Sequence, residues 1–221
     1  MHAVVFLIDM NYNNSMQYEN LASKDIVQKT MDALAQRNHL PELVESKEQA
    51  LLRIKELIPQ GASVMNGSST TLGEIGFIEY LKAGQHGWNN LHEAVLHEKD
   101  PVKQSTLRKQ AVLSDFYLGS AHAITQQGEI IVASNSGSQL PHLVYTSPNL
   151  ILVVGTQKIT ANLDEAMARV KEYVFPLEDA RMKSVGVEAG SFVSKLLIIN
   201  REAPFMGRKS HIIFVNEKLG F

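Results

Sequence analysis

Apolar positions recur at helical spacing in several stretches of the chain and run together in others, and the two patterns alternate. In "SKDIVQKTMDALAQRN", Ile26, Val27, Met31, Leu34 and Ala35 form one stripe, which predicts a helix ending near Asn38. "SKEQALLRIKELI" repeats the design: Leu51, Ile54, Leu57 and Ile58 supply the buried face, and Pro59 with Gly61 ends it. Ser46 and Gln49 stand at capping-box spacing before that run. Leu72, Ile75, Ile78 and Leu81 predict a helix reaching Gly84, and a further helix is expected from about Val102 to Leu113. Asn162 and Glu165 open a last helix on Leu163, Ala166, Met167, Val170 and Val174, with Pro176 expected to end it.

Between these helices lie strand-like runs. "ASVM", "DFYLGSAHAIT", "GEIIVAS", "KLLIIN" and "HIIFVN" read as strands, and "NLILVVG" is an unbroken apolar run suited to burial on both faces. Strands alternating with helices imply a sheet between helical layers. The run "AVVFLI" (3–8) reads as a strand or packed arm within an N-terminal arm over 1–22. It has no basic segment before it and is too short to cross a bilayer, so a cytoplasmic protein without membrane association is expected. The polar segment 84–101 is a candidate cover for a site, and Trp88 belongs to that cover or to a subunit contact in a homo-oligomer.

Composition changes the picture by exclusion. With 221 residues, 44% hydrophobic and 20% charged, the chain suits one globular domain over 1–221. The net charge of −2 and dispersed basic residues argue against nucleic acid as a partner. There is no Cys, which removes disulfides, thiolate nucleophiles, Cys-bound zinc and Cys-held iron–sulfur clusters from this chain. The eight histidines show no metal-binding spacing: His86, His92 and His97 include no i, i+4 pair. No cofactor fingerprint is present, and neither cofactor nor metal is expected.

Two small polar loops carry the candidate chemistry. In "VMNGSSTTLGEIGF", Asn66, Gly67, Ser68, Ser69 and Thr70 stand where a strand passes into a helix. Backbone N–H groups and hydroxyls there suit a phosphate or carboxylate, and Gly67 permits close approach. The alternative is local: Thr71 caps the helix, Glu74 completes a T-x-x-E box, and Gly67 makes the turn. Glu74 is accordingly either a general base facing a pocket or a backbone cap. The second loop, "SNSGSQLP", offers Ser134, Asn135, Ser136, Gly137, Ser138 and Gln139, and is expected to meet the first. His122 and His142 flank this region as possible proton carriers.

Four segments in order, "GASVMNGSSTTLGEIGF", "GSAHAITQQGEIIVAS", "NLILVVGTQKITANLDEAMARVKEYVFPLEDAR" and "INREAPFMGRKSHIIFVNEKLGF", resemble the lactate-utilisation (LUD) domain family. The resemblance runs from about Ile26 onward. It implies a three-layer α/β/α fold with a mostly parallel sheet, similar to sugar-phosphate isomerases and coenzyme A transferases. Ligands would then sit at the carboxyl ends of strands. By the same resemblance Lys158 matches the family's G-x-x-K segment as an anion contact, or is a surface lysine before a helix. Glu129 is a strand carboxylate comparable to catalytic groups in that fold, or a solvated turn edge. Arg181 binds a carboxylate ligand or pairs with Glu178 or Asp179, and the structural pairing is preferred.

The sequence departs from many relatives in lacking cysteines before its last strand, and in lacking an acid and an Arg around the second loop. The implied function is binding of a small anionic metabolite in organic-acid, lactate included, utilisation. The alternatives are an accessory subunit beside iron–sulfur lactate-oxidation proteins, or an isomerase of sugar phosphates.

Overall fold

The computed structural model describes residues 17–221, so the expected strand at 3–8 lies outside the described residues. Among the described residues ten strands are formed: β1 (Leu40–Val44), β2 (Ser63–Asn66), β3 (Asn89–Asn90), β4 (Phe116–Gly119), β5 (Ala123–Thr125), β6 (Ile130–Ser134), β7 (Asn149–Gly155), β8 (Ile159–Thr160), β9 (Lys195–Ile199) and β10 (Lys209–Val215). The helices are α1 (Lys24–Gln36), α2 (Lys47–Leu57), α3 (Thr70–Glu74), α4 (Phe77–Lys82), α5 (Leu91–His97), α6 (Pro101–Gln110), α7 (Leu163–Arg169) and α8 (Phe175–Ser184).

Six strands pair in the order β1-β10-β7-β4-β2-β3, every neighbour parallel. Both faces of this sheet are buried, as its unbroken apolar strands require. One face, with Val64, Leu118, Ile151, Val153 and Ile213, packs on Ile54 of α2, Leu72 of α3 and Phe77 of α4. The opposite face, with Met65, Tyr117, Leu150, Leu152 and Phe214, packs on Leu34 of α1 and on Ile124, Ile130 and Val132. The three-layer α/β/α arrangement is thus present.

Those last three residues belong to a second sheet, ordered β8-β5-β6-β9 and partly antiparallel, which the sequence pattern does not reveal. Its far face, including Ala123 and Ile131, is covered by Ala166 and Val170. "DFYLGSAHAIT" is therefore two strands in two sheets, joined by Ser120–His122. β1 was also not anticipated, because Pro41 interrupts a short, half-exposed edge.

Two helix expectations are corrected. The helix expected to run through Leu72 and Leu81 is broken by Gly76, whose φ of 78° is left-handed, leaving α3 with five residues. Pro176 does not end the last helix. Val170–Val174 widens into a π-helical turn, and Pro176 enters the first turn of α8, where its missing N–H costs nothing. The expected caps at Ser46 and Asn162 are formed, accepting from Gln49 N and Glu165 N. Trp88 is only 7% exposed and donates Nε1–H to Ile58 O, so it is a core residue and neither cover nor contact.

Candidate functional site

Three parallel strands, β2, β4 and β7, end side by side, and each hands its chain to a polar segment. After β4 the chain crosses to the second sheet through Ser120, Ala121 and His122; after β7 it crosses through a single 3-10 turn, Thr156–Lys158. These crossings floor a cavity of about 520 Å³. One wall is Gly67–Thr71 and another is Ser134–Ser136 with Ser138 and Gln139, so the two expected loops do converge. Phe221 also lines it. A second cavity of about 860 Å³ lies on the other side of Gly67–Thr70 and adds Asn66, Glu74, His92 and Arg108.

Lys158 is the central feature. Its side chain is 1% exposed, and Nζ donates to Thr71 Oγ1 at 3.1 Å and to Ser120 Oγ at 3.2 Å. Burial pushes the ammonium down to about 7; the Arg169 charge adds to that shift and Glu74 opposes it. A surface lysine is therefore excluded. Gln157 fixes the turn by donating Nε2–H to Leu219 O at 2.9 Å. A Cβ on Gly155 would stand 2.1 Å from Gln157 Oε1 and 2.6 Å from Glu217 O, so the spacing of the G-x-x-K segment follows from packing.

His122 faces the same cavity with an uncharged ring. Desolvation first, then the Lys158 and Arg169 cations, hold it down to about 3. Its Nδ1 accepts from Ala133 N at 3.1 Å, which puts the proton on Nε2. Arg169 anchors this segment by donating to His122 O at 2.6 Å. His142 instead stacks on Tyr117 with ring centroids 4.3 Å apart, contacts Ser147 Oγ at 3.0 Å, and is held by burial at about 4.

The other expected residues separate into groups. Ser69 caps α3 by accepting from Leu72 N at 3.3 Å, so the T-x-x-E box is not made. The helix has begun before Thr71 can cap it, and Glu74 falls at its end. There Glu74 Oε2 accepts from Gly220 N at 2.6 Å, tying down the segment beside Lys158. With α3 so short, the helix-dipole argument for an anion loses its force; the donors that remain are individual N–H and hydroxyl groups.

Gly67 is required by a side chain: a Cβ there would meet Tyr117 Oη at 2.6 Å. Asn66 is buried with Oδ1 lacking a partner, and it faces the second cavity alone. Gly137 has φ +84° and packs on the Lys195 stem outside both cavities, so it shapes the loop without lining the site. The second loop is braced internally, Ser134 Oγ accepting from Gly137 N at 2.9 Å and Gln139 Nε2 donating to Ala133 O at 3.3 Å.

Glu129 does not belong to the site. It ion-pairs with Arg37 at 2.7 Å, accepts from Thr125 Oγ1, and lines neither cavity. Arg181 reaches both cavities, yet its fork is closed by Glu178 through two contacts of 2.7 Å, as the preferred pairing anticipates. Ser120 and Tyr117 were not singled out from the sequence. The signal available was "GSA" directly after an apolar strand, a pattern of small residues marking a close crossing. From the segment 84–101, His92, Val95 and Leu96 line the second cavity. Among the described residues no helix is long and apolar enough to cross a membrane.

No curated protein matches the chain. Among solved structures it is similar to a DUF162 family protein from Deinococcus radiodurans. The two are 14% identical, the alignment covers 89% of this chain and 100% of that one, and the TM-score is 0.55. At that identity the likeness concerns the fold. The family model for the LUD domain matches residues 27–215, and the chain accordingly belongs to the LUD domain family.

Proposed function

We propose that the crevice between Gly67–Thr71 and Ser134–Gln139 binds a small anionic metabolite, a carboxylate or phosphate, and that the chain serves organic-acid utilisation. Membership of the LUD family relates the chain to lactate-utilisation proteins, which favours a carboxylate. The observation that carries this reading is Lys158. A lysine buried at the cavity floor with two hydroxyl partners, and no carboxylate in ion-pair contact among the described residues, carries a desolvation cost that the Glu74 charge does not offset. A bound anion would supply a negative charge within the crevice. The uncharged donors of the two loops would orient it.

The test is thermal unfolding against a panel of carboxylates and phosphates. A ligand at about 100 times its Kd adds about 2.7 kcal/mol of stability. For a chain of this size that raises Tm by several degrees. Lys158→Met is expected to abolish the shift while leaving the unliganded protein as stable or more so, since it removes a desolvated ammonium. A panel that never moves Tm, or a Met variant that responds as the wild type does, would count against the site.

An accessory role beside redox proteins draws on one observation: Val185 and Phe192 at the crevice mouth are 63% and 56% exposed. Binding without turnover of any acid would favour it. The isomerase reading loses ground because Glu129 is committed to Arg37.

A further inference from the structure

A lysine that served only as a fixed positive charge would gain from a carboxylate neighbour, and Lys158 has none in contact. Its two partners are hydroxyls, which accept or pass on a proton equally well. The wall beside it offers uncharged donors suited to a carboxylate, and Arg181, the guanidinium that reaches the cavity, is closed by Glu178. The arrangement therefore separates two tasks: the loops can hold a carboxylate, while the amine faces whatever is bonded next to it. The smallest ligand that satisfies both is an acid with a carbonyl on its second carbon.

We propose that Lys158 captures the carbonyl of a 2-oxo acid as a Schiff base, with Thr71 and Ser120 moving the protons. This rests on the anion-binding reading of the same crevice and names its substrate class. In the first step the Nζ lone pair attacks the carbonyl carbon. The π electrons pass to oxygen, and a proton leaves nitrogen and reaches that oxygen through a neighbouring hydroxyl, giving a carbinolamine. In the second step the C–O bond breaks as nitrogen forms the C=N bond. The departing hydroxyl takes a second proton and leaves as water. One amine and one ketone become one imine and one water, and nothing is oxidised or reduced. His122, with its proton on Nε2, adds a neutral donor to the same cavity.

The protonation state supports the chemistry. With Lys158 held down to about 7, about half of it is a free amine at neutral pH. An ordinary lysine is free to roughly one part in 10³. Desolvated lysines are activated as carbonyl nucleophiles in this way.

The experiment incubates the native protein with pyruvate, the simplest 2-oxo acid, then reduces with borohydride and maps the adduct by mass spectrometry. Lactate, which has the carboxylate but no carbonyl, is the control. The expected result is one reduced adduct per chain on the peptide carrying Lys158, absent with lactate. Its yield should rise with pH through about 7, whereas labelling of exposed lysines should rise only near their ordinary pKa of about 10.4. Lys158→Arg should lose the adduct while circular dichroism stays unchanged; should that variant not fold, the pH profile of the wild-type adduct still decides. Ser120→Ala should slow trapping several-fold at the same occupancy. Pyruvate that raises Tm but leaves no adduct at Lys158 overturns the covalent step and spares anion binding. Label spread evenly over exposed lysines overturns it too. Neither a shift nor an adduct with any acid removes both readings.

Discussion

At the residue scale, the chain buries three histidine rings and keeps them uncharged. His39 and His142 are held by burial at about 4 and His122 at about 3, against about 6.5 in an unfolded chain. Below pH 6.5 the unfolded state takes up protons that the native state refuses, so stability falls as the pH drops from 6.5 towards 4. Each group contributes at most about 1.4 kcal/mol per pH unit over that window. Lys158 acts in the same direction at higher pH: between about 7 and its unfolded value the native state has released a proton the unfolded state keeps, so the unliganded protein gains stability. Histidine ring proton shifts followed by NMR should show these three rings uncharged at pH 5.5; rings that titrate near 6.5 would refute the assignment.

Gly67 gives a second prediction at this scale. Gly67→Ala should cost about 1–3 kcal/mol, because its Cβ would overlap Tyr117 Oη at 2.6 Å. The next ring atom, Cζ, would lie 3.7 Å away, so adding Tyr117→Phe should restore most of the loss. Denaturant midpoints of the single and double variants measure it, and additive losses would show that the overlap is not the cause.

At the scale of elements, what could be read from the sequence depended on whether the signal was local. Ser46 and Asn162 each sit three residues before the N–H they cap, so α2 and α7 announce their starts. Around the first loop four consecutive hydroxyl residues, Ser68 to Thr71, compete for one cap; Ser69 takes it, which moves α3 and releases Glu74 to Gly220. Nothing in the spacing distinguishes Ser69 from Thr71. The second sheet was hidden for a related reason. β5 and β8 have three and two residues, too few to show a period, and "DFYLGSAHAIT" reads as one run although its halves pair with different partners. The convergence of the two loops was legible because both follow strands whose ends an α/β sheet aligns. The burial of Lys158 was not, since it arises from crossings between two sheets.

At the scale of the whole molecule, protection should be graded across the large sheet. β7 is almost wholly buried and lies between β4 and β10, whereas β1 is a half-exposed edge containing Pro41. Hydrogen exchange should be slowest in β7 and β10 and faster by orders of magnitude in β1, which opens without global unfolding. Equal protection of β1 and β7 would contradict this gradient. The Lys158 site depends on the same interior, since its floor leaves directly from β7.

β10 sits between β1 and β7 although it is the last strand described, at Lys209–Val215. During synthesis, the partners on either side of it are made long before it emerges from the ribosome. The nascent chain must therefore carry two unsatisfied strand flanks across the translation of some fifty residues beyond β7. The pace of elongation over that stretch, and the chaperones present meanwhile, would then govern how much of this protein reaches a usable state.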